Sequence, residues 1–248
     1  MNKFLTQLSL AASLLVLGSC SKHLYPHQLP PQQYTIESGK PVDSNLVTML
    51  QPYKKGVDTQ MKVIIGHTDI PLTKAQPEST LGNFVADAQL MAAKAIDPKT
   101  EVSISNYGGI RVPYIDPGPL TRGKMYELMP FDNMLTIVEI PGTVLKQFCN
   151  HIAKGKGWPV SGISFLIKDK QAENILVAGQ PLDEHRYYKV ATSDYVARGG
   201  DNCDFLSTEK KRFTSIFIRD AMIAYVTRLE QAGKPLHPQI ENRIRYAE

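Results

Sequence analysis

The sequence predicts an α+β fold: a single domain with a mixed β-sheet and flanking helices. Three observations carry that prediction. Leu81 to Ile96 has one continuous apolar face at i, i+3, i+4 spacing, which is the period of an amphipathic helix. Several short β-branched or apolar runs, among them Val102–Ser105, Leu135–Ile140, Ile163–Ile167 and Tyr187–Thr192, have the length and composition of strands. These runs follow one another in hairpin-like order and do not alternate with helices as regular βαβ units, which argues against a doubly wound parallel sheet.

The elements follow in chain order. Val42 to Tyr53 places apolar residues at Val42, Leu46, Val47, Met49 and Leu50 and reads as a short entering helix. Met61–Gly66 reads as the first strand. The helix at Leu81–Ile96 is capped by Ser79 or Thr80 and ended by Asp97-Pro98. Val102–Ser105 is a strand that runs into the turn Asn106-Tyr107-Gly108-Gly109-Ile110-Arg111. Leu135–Ile140 is a strand, and Gly142–Ile152 a helix that buries Val144, Leu145, Phe148, Cys149 and Ile152. Two strands follow, and Phe213–Leu229 reads as a long amphipathic helix. No internal repeat or linker appears after about residue 60, so residues 42–248 form one domain.

The amino-terminal end reads differently. A basic start at Lys3, an apolar run from Leu8 to Leu17 and a small-residue ending mark residues 1–19 as a secretory signal, too short to be a spanning helix. Leu17-Gly18-Ser19-Cys20 resembles a bacterial lipobox, which implies lipidation at Cys20; soluble secretion with an incidental cysteine is the alternative. Residues 20–41 hold four prolines from Ser21 to Pro41 and few large apolar residues, the composition of a flexible tether. The expected location is therefore the bacterial cell envelope, with the chain lipid-anchored on a periplasmic or surface face. The net charge of +4 falls to +3 when Lys3 is removed with the signal, which is too small to argue for nucleic acid. Lys210-Lys211-Arg212 reads as a solvated turn, and Cys149 and Cys203 as buried free thiols, with one disulfide as the alternative.

Three segments combine tight turns with groups able to hold a planar ligand. Gly108-Gly109 lets backbone approach a ligand closely, Asn106 offers a donor and an acceptor, and Arg111 offers a fork of donors suited to phosphate or carboxylate. Taken alone, the same turn also fits Asn106 capping its own backbone. Pro130-Phe131-Asp132-Asn133 presents a ring beside polar edges, although Phe131 alone also fits a core position. In Tyr195-Val196-Ala197-Arg198-Gly199-Gly200-Asp201 a glycine turn sets an aspartate six residues after an aromatic. Phe131 and Tyr195 form a candidate pair to stack on a base, and Asp201 can accept from ribose hydroxyls or a base edge.

These segments, with Leu81-Gly82-Asn83 and Val160-Ser161-Gly162, resemble in order the C-terminal domain of the 5′-nucleotidase and UDP-sugar hydrolase family. The resemblance runs from about Met61 to Phe205. It implies that domain's fold, a base clamp of Phe131 and Tyr195, polar contacts from Asn106 and Asn133, a ribose aspartate at Asp201 and an arginine toward the phosphates at Arg111. Phenylalanine is commoner than tyrosine at the position of Tyr195. Family arginines before the L-G-N helix are absent; Gln76-Pro77-Glu78 stands there, with only Lys74 upstream.

The family's metallophosphoesterase domain, which holds two metals and activates water, has no counterpart in the motifs of this sequence. His23, His27, His67, His151, His185 and His237 are widely separated, and neither G-x-S-x-G nor a Walker frame occurs. The expectation is a substrate-binding subunit of a split 5′-nucleotidase. It would bind nucleotide or nucleoside, with no cofactor of its own and no catalytic residue, and pair with a separate metallophosphoesterase chain carrying divalent metals. The alternative is a non-catalytic nucleoside- or nucleotide-binding surface lipoprotein.

Overall fold

Apolar spacing along the chain switches repeatedly between periods near 3.6 and 2, and the elements switch with it. The computed structural model describes residues 42–247, so the expected leader (1–19), Cys20 and the tether (20–41) lie outside the described residues. Contacts divide the chain into two units, Met1–Val47 and Thr48–Glu248. In the first, the Asp43 carboxylate accepts from the amides of Asn45 and Leu46, at 2.9 and 3.2 Å, and caps a helix start.

In chain order the elements are α1 Ser44–Met61, β1 Ile64–Thr68, β2 Leu72–Thr73, α2 Thr80–Ile96, β3 Thr100–Ile104, β4 Tyr114–Ile115 and β5 Gly118–Thr121. Next come α3 Arg122–Leu128, β6 Met134–Pro141, α4 Gly142–Lys154, β7 Val160–Ser161, β8 Ile163–Lys168 and β9 Gln171–Val177. The remainder is β10 Gln180–Pro181, β11 Tyr187–Ser193, α5 Asp194–Ala197, β12 Lys210–Phe217, α6 Ile218–Gln231 and β13 Ile244–Tyr246.

The central sheet has five strands in the order β12-β6-β11-β3-β7. It is mixed: β11 runs parallel to β3, and every other pairing is antiparallel. Both faces are buried, and alternation along each strand divides two cores. Leu135 and Ile137 of β6 face one core, packed with Phe84 and Val85 of α2 and with Met222 and Val226 of α6. Val138 and Ile140 face the other, packed with Leu145, Phe148 and Ile152 of α4 and with Phe165 and Ile175 of a second sheet. That sheet has the order β10-β9-β8-β13, with β13 parallel to β8. Shifting β6 by one residue would exchange its two faces, so the register is fixed from both sides.

Local chemistry accounts for several boundaries. Ser79 Oγ accepts from Gly82 N at 3.0 Å and starts α2. Such a cap is worth about 1 kcal/mol. Gly162, with φ 76, turns the chain between β7 and β8; a Cβ there would lie 2.0 Å from Glu101 O, so backbone packs where a side chain would stand.

The α+β architecture is the one expected, with several corrections. Met61 ends α1, and the first strand begins only at Ile64. The entering helix continues unbroken through Pro52 and extends eight residues past Tyr53, and none of its residues is buried. The expected helix at Phe213–Leu229 is a strand followed by a helix. Lys210–Phe217 pairs with β6, and α6 starts at Ile218. Lys210, Lys211 and Arg212 pair with Glu139, Val138 and Ile137 of β6, so the basic run opens an edge strand and is not a turn; Lys211 Nζ donates to Ser207 O and Glu209 O, at 2.7 and 2.9 Å. Strands β9 and β13 had no distinct expectation. Cys149 and Cys203 are both buried and unbonded.

Candidate functional site

Sheet topology brings the three motif segments to one end. Parallel strands β3 and β11 finish side by side, and each leads directly into a motif: Asn106–Arg111 after β3, Tyr195–Asp201 after β11. Strand β6 runs the other way, with Leu135 paired to Ser193, so its start lies beside the end of β11. The residues just before that start are Phe131, Asp132 and Asn133. A mixed sheet thus gathers loops that lie far apart in sequence.

Asp201 is the hub. Asn106 Nδ2 donates to its Oδ2 at 2.7 Å, and Tyr195 Oη donates to its Oδ1 at 2.9 Å. Tyr195 Oη also accepts from Asp201 N at 3.2 Å. Donation to the carboxylate favours the neutral phenol, and it raises the Tyr195 pKa above the usual 10.0. Asn106 therefore reaches across the site instead of capping its own turn, where it makes no side-chain cap bond.

Of Gly108, Gly109, Gly199 and Gly200, all but Gly108 meet a neighbour more closely than a Cβ would allow without adjustment. Only Gly199 of the four has positive φ, at 101°. A Cβ on Gly109 would stand 3.0 Å from Asn106 Oδ1. One on Gly200 would stand 2.5–2.6 Å from three ring atoms of Tyr195. Gly200 is thus what lets the Tyr195 ring lie against backbone.

The aromatic side chains are open. Phe131 is 40% and Tyr195 45% exposed, which removes the core reading of Phe131. The Arg111 guanidinium lies 5.4 Å from the Phe131 ring centroid, within cation–π range, and its Nη1 donates to Gly108 O at 3.3 Å. Two residues outside the expected set hold the Phe131 loop. Arg219, buried at the start of α6, donates to Phe131 O at 3.3 Å and to Asp132 Oδ1 at 2.9 Å. Asp194 Oδ1 accepts from Met134 N at 2.9 Å and ties that loop to the helix bearing Tyr195. A buried arginine, or an aspartate that accepts from a backbone amide 60 positions away, leaves no signature in a single sequence, so neither contact was legible there.

The result is a cavity of about 330 Å³ lined by Asn106, Gly108, Gly109, Arg111, Phe131, Asn133, Tyr195 and Asp201. That volume lies at the lower end for small-molecule sites. Gly199 and Gly200 are not among its lining residues; they shape the turn that carries Asp201. Lys74 lies close by, with Nζ 4.1 Å from the Tyr107 ring centroid and 2.7 Å from Ile110 O. Burial, and then Arg111, lower its pKa. The L-G-N and V-S-G motifs serve packing: Asn83 Nδ2 donates to Glu78 and Gln239 O, and Ser161 Oγ to Asp87 Oδ1.

A family model described as 5′-nucleotidase, C-terminal domain, matches residues 61–208, more than half of the chain. The chain belongs to this family. It is 29% identical over 217 residues to the trifunctional nucleotide phosphoesterase protein YfkN of Bacillus subtilis, covering 79% of this chain and 15% of that one. It is 23% identical over 202 residues to the protein UshA of Escherichia coli, covering 78% and 36%. The crystal structure of a 5′-nucleotidase precursor from Thermus thermophilus superposes with a TM-score of 0.70 at 26% identity, over 84% of this chain and 44% of that one. An NAD nucleotidase structure from Haemophilus influenzae, 18% identical with a TM-score of 0.63, shares the fold. The chain spans less than half the length of each of these relatives.

Among the described residues, no group of three or more His, Cys, Asp and Glu side chains could hold a metal ion. His67 and His237 are each paired with one carboxylate, Glu230 and Asp69, both at 2.7 Å. His151 packs edge-on against Trp158.

Proposed function

We propose that this chain binds a nucleoside or nucleotide in the cavity at the end of the central sheet. The observation that carries the reading is the convergence, from three separate loops, of two open aromatic rings, an aspartate held by two donors, and an arginine. Phe131 and Tyr195 stack on the base, Asp201 accepts from the ribose, Asn106 and Asn133 supply polar contacts, and Arg111 faces the phosphates. Capture of the ligand requires nothing further from the chain. Calorimetric titration with adenosine, AMP and a UDP-sugar tests the reading. It expects binding of at least one, and no binding of any of them would end it.

A second reading adds catalysis. The domain is then the substrate-binding part of a split 5′-nucleotidase, and hydrolysis occurs when a separate metallophosphoesterase chain brings two divalent metals and the attacking water. The likeness to a nucleotide phosphoesterase and a 5′-nucleotidase, of whose length this chain spans less than half, motivates it. Here the domain occupies 42–248, the leader 1–19 and the tether 20–41, with Cys20 lipidated at the bacterial cell envelope. No helix among the described residues is long and apolar enough to cross a membrane. Capture of a metallophosphoesterase with the tagged chain, and phosphate release from AMP by the pair, are the expected results. Inactivity of the reconstituted pair would leave only the binding role.

A further inference from the structure

We propose that the Tyr195 hydroxyl is a positioning group that sets Asp201 to select a ribose cis-diol over a deoxyribose. The inference rests on the nucleoside reading of the pocket and goes beyond it, because stacking uses the ring of Tyr195 and gives its hydroxyl no task.

Asp201 sits in the left-handed region, with φ 53 and ψ 38, and Asn202 follows at φ 61. That conformation is costly for a residue with a side chain, although aspartate tolerates it better than most. Tyr195 Oη holds both ends of the residue, accepting from its amide and donating to its Oδ1. Asn106 holds the other oxygen. The carboxylate is therefore fixed in position and in rotation.

An ionised carboxylate offers about four acceptor sites, two on each oxygen. Tyr195 uses one on Oδ1 and Asn106 one on Oδ2, so one site remains on each oxygen. Two adjacent hydroxyls, each donating to its own oxygen, match that remainder. A sugar lacking either hydroxyl leaves one prepared acceptor unmatched within the pocket, and sites built to bond a hydroxyl discriminate strongly against analogues lacking it. A phenylalanine at position 195 would keep the ring and its seat on Gly200. It would also free Asp201 to rotate and would open a third acceptor site.

The test is titration of wild type and Tyr195→Phe with adenosine, 2′-deoxyadenosine and 3′-deoxyadenosine, repeated in the uridine series. Thermal unfolding and circular dichroism serve as controls for the fold. Wild type is expected to prefer the ribonucleoside about 10-fold or more, the scale of one hydrogen bond to a charged group. In Tyr195→Phe that ratio is expected to fall at least 3-fold, with the loss greater for the ribonucleoside than for either deoxynucleoside. An unchanged ratio in Tyr195→Phe, or equal wild-type affinity for ribo- and deoxynucleosides, would overturn the inference while leaving nucleoside binding in place. No binding of any nucleoside by wild type would remove both. Should Tyr195→Phe unfold, Tyr195→Met removes the hydroxyl while keeping an apolar side chain against Gly200; the ratio is again expected to fall, and an unchanged ratio would again overturn the inference.

Discussion

Tyr195 carries its ring on a glycine and its hydroxyl on an aspartate, so small changes around it have separable effects. Gly200→Ala places a methyl 2.5 Å from the ring, which can yield only by tilting away from its seat. Nucleoside affinity is expected to fall about 10-fold, on the scale of one lost stack, with little change in Tm. Calorimetry beside thermal unfolding checks both. Phe131→Ala removes a ring that is 40% exposed, so it is expected to cost about 1–3 kcal/mol of binding and to spare the fold. A matching loss of Tm would instead return the ring to the core. The phenol also predicts a titration. Its donor bond to Asp201 raises the pKa above 10.0, so the bond is present below the ordinary phenol value and is lost only as pH rises through the raised one. The ultraviolet titration of wild type minus Tyr195→Phe should show one phenol ionising above pH 10; ionisation below 10 would contradict the bond. The sequence made the residue types of this site legible because glycine, aromatic and acidic groups stand close together in each motif. It could not show that Asn106 reaches Asp201, 95 positions away.

At the scale of elements, the site exists because β3 and β11 run parallel while β6 opposes them. The helix α6 adds a brace. Arg219 bonds to the carbonyl of Phe131 and to Asp132, and stacks 4.0 Å from the Tyr126 ring centroid. Arg219→Met removes the brace and leaves the Phe131 carbonyl without this donor. It is expected to destabilise the fold by about 1–3 kcal/mol and to weaken nucleoside binding at temperatures where the protein remains folded. Chemical denaturation and titration measure the two effects; unchanged binding would show that the loop holds itself. Gly162→Ala tests the other sheet junction. Strain at φ 76 and a 2.0 Å approach to Glu101 O predict a loss of at least about 2 kcal/mol, read from the denaturation midpoint. The elements with strong periods, α2, α4 and the central strands, were legible in the sequence. Lys210–Phe217 was not, because its apolar residues continue into those of the next helix and only pairing with β6 separates them. Strand β13 is three residues long and forms by pairing with β8, a partner far away in sequence.

At the scale of the molecule, two cores on opposite faces of one sheet give the loops a rigid base. Both thiols belong to the core beneath α4. Burial raises the pKa of each, that of Cys203 to about 12, so both stay protonated and shielded at pH 8. Neither should react with iodoacetamide until the fold is lost. Family membership places this rigid frame among nucleotidase C-terminal domains. The central claim is that the convergent loops hold a nucleoside between two rings. Calorimetric titration of wild type and of the Phe131→Ala, Tyr195→Ala double variant with adenosine and uridine tests it most directly. Saturable binding by wild type that disappears in a double variant of unchanged Tm is the predicted result. Equal affinity in the two proteins, or a wild type that binds neither nucleoside, would contradict it.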